Sequence, residues 1–187
     1  MDLPSRYIRS PHPKTTMRPD QGAFQRVLDR GWIAQYKIHG HRAQCHLSAN
    51  TSDPVLVYNR QGKLHKKELP DVLCQELRRL FAPQDGWTVI EGEWLKGQDK
   101  IFLFDILRKD GQLLNHLSYG DRYEFLPRVY QSDNVETLGI WRSAAQCFSL
   151  IEEAPPYVEG FVLKAWSTKG FHDTSVIRCR WPGRSIH

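Results

Sequence analysis

The sequence predicts an α+β domain of largely antiparallel sheets with flanking helices, and three observations predict it. Apolar and polar residues alternate on both sides of the stretch 35–42, Gln-Tyr-Lys-Ile-His-Gly-His-Arg, the period of a half-buried strand. Two neighbouring runs, 87–95 and 100–107, are largely apolar with acids set into them, as strands buried on both faces are. Helical periods are few and interspersed among the strands, a pattern that points to α+β. A chain of 187 residues suits one domain spanning 1–187.

Residues 1–19 carry Pro11, Pro13 and Pro19 beside Lys14 and Arg18 and read as an extended N-terminal arm. Asp20 then caps a short helix over 21–29. Strand-like alternation from Trp32 to Leu47 is broken at Gly40, so Lys37 is expected at a strand end or tight turn; taken alone, Lys-x-His-Gly-x-Arg is an ordinary basic hairpin. The run 55–63 enters a turn at Gln61-Gly62, which sets Arg60 at a strand end. Val72, Leu73, Leu77 and Leu80 make 70–81 an amphipathic helix. After the two buried strands, Asp110-Gly111 turns the chain and 119–129 reads as a helix of mixed charge. The period of Leu138, Trp141, Ala145, Phe148 and Leu150 predicts a helix over 135–153, stopped by Pro155-Pro156. Two strands, 158–166 and 175–181, end the chain before Pro182-Gly183.

Lys and Arg outnumber Asp and Glu 26 to 21, giving a net charge of +5 and a pI near 9.1, a balance that favours a polyanionic partner. The four cysteines, Cys45, Cys74, Cys147 and Cys179, form no Cys-x-x-Cys pair, which excludes a zinc ribbon and a disulfide framework and fits an intracellular setting. The N-terminus has no apolar core of a leader, and no run has the length of a membrane span. Histidines at 39, 41 and 46 lack a second ligand pair at zinc spacing. The basic runs 63–67 and Arg78-Arg79 are solvated faces or phosphate contacts.

Charged residues on apolar strands should meet one another or a ligand, because burying them unpaired is costly. Such residues recur in order: Lys37, Arg60, Glu91-Gly92-Glu93, Phe104-Asp105, Glu159-Gly160-Phe161-Val162-Leu163-Lys164 and Arg178-Cys179-Arg180. The series resembles the covalent nucleotidyltransferase superfamily of ATP-dependent DNA ligases, RNA ligases and messenger-RNA capping enzymes. Lys37-Ile38-His39-Gly40 looks like the first motif with its lysine nucleophile, and Arg60 with Gly62 like the arginine turn that follows. Glu91–Glu93 and 102–107 look like the third motif and its companion. The run 159–164 looks like the fourth, and Arg178-Cys179-Arg180 sits where the fifth should be, with arginines in place of its usual lysines. The resemblance covers roughly residues 35–181.

It implies a nucleotidyltransferase, or adenylylation, domain and an ATP-dependent polynucleotide ligase. In that reaction Lys37 attacks the α-phosphate of ATP, AMP passes to a 5′-phosphate end, and a 3′-hydroxyl displaces AMP. Lys164, Arg178 and Arg180 would supply the field that favours a neutral lysine and stabilises the transition state. Glu93 and Glu159 would hold Mg²⁺ or Mn²⁺, with Asp105 orienting Lys37 or a metal-bound water. Phe104, or alternatively Phe102, would stack on adenine, and Arg60 would grip ribose or a 5′-phosphate. Gln35, Tyr36, His39, Gly40 and Arg42 complete the expected nucleotide site. His39 resembles the type-two RNA ligases and RNA-editing ligases, whereas Arg42 and Glu-Gly-Glu follow DNA ligases. The expected partner is therefore nucleic acid with 5′-phosphate and 3′-hydroxyl ends, a nicked RNA-containing duplex, with no membrane. A minimal DNA ligase, a capping-type guanylyltransferase and a non-catalytic nucleic-acid-binding module are the alternatives. With few residues after Arg180, the oligonucleotide-binding domain that follows in DNA ligases and capping enzymes is not expected in this sequence, which reads either as a minimal ligase or as a catalytic domain of something longer.

Overall fold

The computed structural model describes residues 6–184; the first five residues of the expected arm lie outside the described residues. In chain order the elements are β1 (Thr15–Met17), α1 (Gln21–Leu28), β2 (Trp32–Ile38), β3 (His41–Ser48), β4 (Leu56–Tyr58), α2 (Asp71–Phe81), β5 (Trp87–Leu95), β6 (Lys100–Lys109), β7 (Gln112–Leu113), α3 (Tyr119–Tyr123), β8 (Val135–Thr137), α4 (Ala144–Glu153), β9 (Val158–Ala165) and β10 (Val176–Arg180). They divide into two compact units. One comprises residues 6–9, Gly40–Leu117 and Asp121–Thr137; the other comprises Ser10–His39, Ser118–Gly120 and residues 138–184. In sequence, most of the first unit is an insertion between strands of the second.

The inserted unit holds a six-stranded sheet ordered β4-β3-β5-β6-β7, with β8 pairing parallel to β6 and the other pairs antiparallel. Its central strands bury Val89, Ile90, Ile101, Leu103 and Ile106 completely, which is why their sequences read as unbroken apolar runs. Fully buried His46 belongs to this unit, its Nε2 2.8 Å from Gln44 Oε1. Burial, reinforced by the charge of Arg108, pushes its imidazole down to about 3. The unfolded chain takes up that proton below about pH 6.5 while the folded chain does not, so stability is expected to fall as pH drops through this window. Between pH 7 and pH 5 the loss should be about 2 kcal/mol. Urea midpoints of the wild type and His46→Gln across this range check it, the variant showing a shallower slope.

The other unit holds a four-stranded sheet ordered β1-β10-β9-β2, antiparallel except for the parallel pair β1·β10. One face is apolar and lies against α1 and α4: Phe161 meets Phe24 and Tyr36 edge-on or tilted, and Phe148 packs on Phe24 and Trp181. Asp20 caps α1 by accepting the Ala23 N–H at 2.6 Å, as its position in the sequence predicts.

Three local expectations are corrected. The strands flanking Gly40 do not form a hairpin: β2 pairs with β9, whereas β3 pairs with β4 and β5. The helix expected over 119–129 stops at Tyr123, since Pro127 disfavours helical backbone in the residue before it and itself lacks an N–H. The stretch 135–153 is strand β8 followed by a loop and a helix that begins at Ala144. Two of the three β8 residues are β-branched, and Ser143 accepts the Gln146 N–H to cap α4. Within the expected arm, Thr15–Met17 forms an edge strand parallel to β10.

Candidate active site

Strand register assigns the charged residues of the four-stranded sheet to one face. Lys37 lies opposite Gly160, which lies opposite Arg180; Gln35 lies opposite Val162, which lies opposite Arg178; Lys164 is two residues beyond Val162. Directly paired residues and residues two apart share a face, so Gln35, Lys37, Lys164, Arg178 and Arg180 all lie on the side away from α1 and α4. Alternation sends Tyr36 the other way. Its ring packs 4.6 Å from that of Trp141, and its hydroxyl donates to Leu150 O, so the expectation of Tyr36 as a nucleotide contact is corrected for its side chain.

By parity Glu159 belongs with the apolar face, and a β-bulge changes this. Lys37 pairs with Gly160 but Ile38 pairs with Val158, leaving Glu159 as the extra residue. A bulge bends the strand and re-aims a side chain. Glu159, only 5% exposed, thereby forms an ion pair with Lys37 Nζ. Its other oxygen is 3.6 Å from Arg180 Nε and 3.8 Å from His39 Nδ1. The bulge depends on Gly160: its φ is +141°, and a Cβ there would come within 2.1 Å of Cys179 O.

Lys164 is buried, and its ammonium donates to the Tyr119 hydroxyl at 3.2 Å. Gln35 is also turned inward, accepting from Tyr119 Oη at 2.8 Å and donating to Leu138 O at 3.2 Å. Both functional groups of its amide thus have a partner within the protein. Arg178 Nε donates to Thr16 Oγ1 at 2.7 Å, so the two arginines of the last strand have different neighbours.

In the inserted unit, Gly40 is where the chain enters from His39; a Cβ there would meet Trp94 O at 2.9 Å. Arg42 forms an ion pair with the fully buried Glu91 and stacks 4.6 Å over the ring of Phe104. Glu91 also accepts from Gln44 Nε2 at 2.5 Å. Phe104 occupies a register shift, Glu91 pairing with Asp105 and Gly92 with Leu103, so Phe102 and Phe104 have different surroundings: Lys100 lies over the former and Arg42 over the latter. Glu93, half-buried, is opposite Arg42 and Phe102. Arg60 is exposed in a turn that Asn59 closes by accepting the N–H groups of Gln61 and Lys63. Of the basic dipeptide in α2, Arg78 donates to the carbonyls of Ser48 and Asp53.

Asp105 does not fit a metal. Arg122 grips it bidentately, Nε to Oδ1 at 2.9 Å and Nη2 to Oδ2 at 3.0 Å, and the Ile106 N–H adds a third bond. Among the described residues no group of three or more His, Cys, Asp or Glu side chains could hold a metal. Mg²⁺ needs less, taking one or two carboxylates and completing its shell with water and substrate phosphate; Glu159 in the one unit and Glu93 in the other are each hard oxygen donors. Sequence reasoning did not single out Tyr119 and Arg122; a tyrosine and an arginine in a stretch of mixed charge carry no signal of their buried partners.

The fold is similar to that of solved DNA and RNA ligase structures. The chain is similar to a mycobacterial DNA ligase D complexed with ATP and MES, at 19% identity and a TM-score of 0.56 over 80% of this chain and 54% of that one. An archaeal ATP-dependent RNA ligase matches at 16% identity and TM-score 0.53 over 91% of this chain and 48% of that one. A structure from a study of minimal Lig E DNA ligases matches at 11% identity and TM-score 0.58 over 94% and 70%. The chain spans about half the length of the first two. No protein-family profile and no curated protein matches it. No helix among the described residues is long and apolar enough to cross a membrane.

Proposed function

We propose that the chain is the adenylylating domain of an ATP-dependent polynucleotide ligase of RNA ligase type, with Lys37 as nucleophile. The observation that carries this reading is the Lys37–Glu159 pair set on a sheet face with Lys164, Arg178 and Arg180. A free lysine is protonated near neutral pH, so the attacking nitrogen must first give up a proton, and the Glu159 carboxylate is in contact to hold it. The Nζ lone pair then forms a bond to the α-phosphorus of ATP, the bond from that phosphorus to the β-bridging oxygen breaks, and pyrophosphate leaves. Arg180 and Lys164 offset the charge on the phosphoryl oxygens. A divalent cation, which Glu159 could bind through its second oxygen, would supply further neutralisation of the polyphosphate. Phe104 with Arg42 on its ring, and Arg60 in its turn, are assigned to the nucleoside and to a 5′-phosphate.

The test is incubation with α-labelled ATP or GTP and Mg²⁺ or Mn²⁺, followed by denaturing electrophoresis. ATP is expected to label the protein through an acid-labile bond, and Lys37→Ala to carry no label. Labelling that persists in Lys37→Ala, or that GTP alone supports, sinks the reading.

RNA type rests on His39, whose Nδ1 lies 3.8 Å from Glu159. The substrate proposed is a nick whose 3′-hydroxyl strand is RNA, recognised through A-form shape and the 2′-hydroxyl. A minimal DNA ligase is the second reading, favoured by the ion pair of Arg42 with Glu91, two residues of DNA-ligase character. Sealing of preadenylylated nicks with RNA or DNA on the 3′-hydroxyl side separates them, equal or faster all-DNA sealing deciding for the second.

A further inference from the structure

On the charged sheet face Lys164 is deeply buried, at 8% exposure, and bonded to a chain of neutral groups. Its Nζ lies 3.2 Å from Tyr119 Oη and 4.5 Å from the centre of the Tyr119 ring. The hydrogen-bond direction is fixed from the far end. The Gln35 amide nitrogen donates to Leu138 O at 3.2 Å, so its oxygen faces Tyr119 and must accept. The tyrosine proton is therefore spent on Gln35 at 2.8 Å, and its hydroxyl oxygen can only accept from Lys164. Tyr119 is itself anchored: its N–H donates to Thr168 O at 3.1 Å, the next N–H donates to Trp166 O at 2.9 Å, and its ring stands edge-on to Trp166.

We infer that Tyr119 is a positioning residue for Lys164, fixing the orientation of its donating head group on the face that carries Lys37. One ammonium proton is directed to Tyr119, and the ring's negative face attracts the charge, so the head group is oriented before any phosphate arrives. Preorganised donors of this kind act on the transition state more than on ground-state binding. The inference rests on the proposed adenylylation of Lys37, and Gln35 acts in it through Tyr119 rather than on the nucleotide.

The experiment uses the full chain and single-turnover labelling by ATP. Tyr119→Phe keeps the ring and removes only the hydroxyl. The labelling rate at saturating ATP is expected to fall about 10- to 100-fold, less than for removing a preorganised donor outright, while ATP affinity, measured in the Lys37→Ala background, changes less than about threefold. Gln35→Leu should slow labelling similarly, and adding it to Tyr119→Phe should cause little further loss. A second readout needs no turnover: in protein carrying ¹⁵N-lysine, the ordered Lys164 ammonium gives a signal assigned by its loss in Lys164→Arg. Tyr119→Phe should shift or broaden that signal. Wild-type labelling by Tyr119→Phe, or an unmoved ammonium signal, overturns the positioning role. Absence of labelling in the wild type overturns the ligase reading instead, leaving the ammonium signal to report on Tyr119 alone.

Discussion

Gly160→Ala is expected to leave no detectable nucleotide on Lys37 and to destabilise the chain by more than about 4 kcal/mol, beyond the usual range for single substitutions. Two effects add. A φ of +141° is open to glycine and strained for alanine. The new Cβ would also stand 2.1 Å from Cys179 O and 3.0 Å from the Arg180 Cα. Both neighbours are backbone and cannot swing aside as a side chain could, so β9 and β10 must part where Gly160 faces Arg180. That displacement carries Glu159 off Lys37. Urea unfolding and labelling of the variant check it together, and a wild-type midpoint with wild-type labelling would mean that the close approach is not there.

The second large effect is expected at Asp105, in the inserted unit. Asp105→Leu takes from Arg122, 1% exposed, the carboxylate that holds it bidentately; a neutral carbonyl such as that of Leu117, 3.0 Å from Nη1, does not balance the charge. Breaking a buried pair from one side costs about 3–5 kcal/mol, whereas replacing both partners with apolar groups is often nearly neutral. The double variant Asp105→Leu with Arg122→Met should therefore regain most of the midpoint lost by the single one. A double variant no more stable than Asp105→Leu would show that Arg122 does not depend on this carboxylate.

How much of this was legible in the sequence differs from residue to residue, for physical reasons. The buried strands and the order of charged clusters could be read because apolar runs and turn residues act locally. The meeting of Lys37, Glu159 and Arg180 required more, since strand alternation alone would turn Glu159 away from Lys164 and only the bulge at Gly160 restores it. Asp105 looked like a ligand residue because nothing in its own strand reveals Arg122, 17 positions later, folding onto it. The hairpin at Gly40 was the natural local reading, yet β2 and β3 join different sheets, a choice made by distant strands. Tyr119 carried no signal at all: its importance comes from Gln35 and Lys164, which flank it in space and not in sequence.

The placement of β2 has a kinetic consequence. Lys37 and Glu159 are 122 residues apart, and Thr16 and Arg178 are 162 apart, whereas Gln44 meets Glu91 across 47. Contacts that close longer loops form more slowly. During synthesis the sheet of the inserted unit has its central strands in hand while β2, whose ladder is to β9, still waits for its neighbour. The strand that presents Lys37 is thus among the last to be secured, and a chain interrupted before β9 has folded around its insertion while the lysine has neither its strand partner nor Glu159.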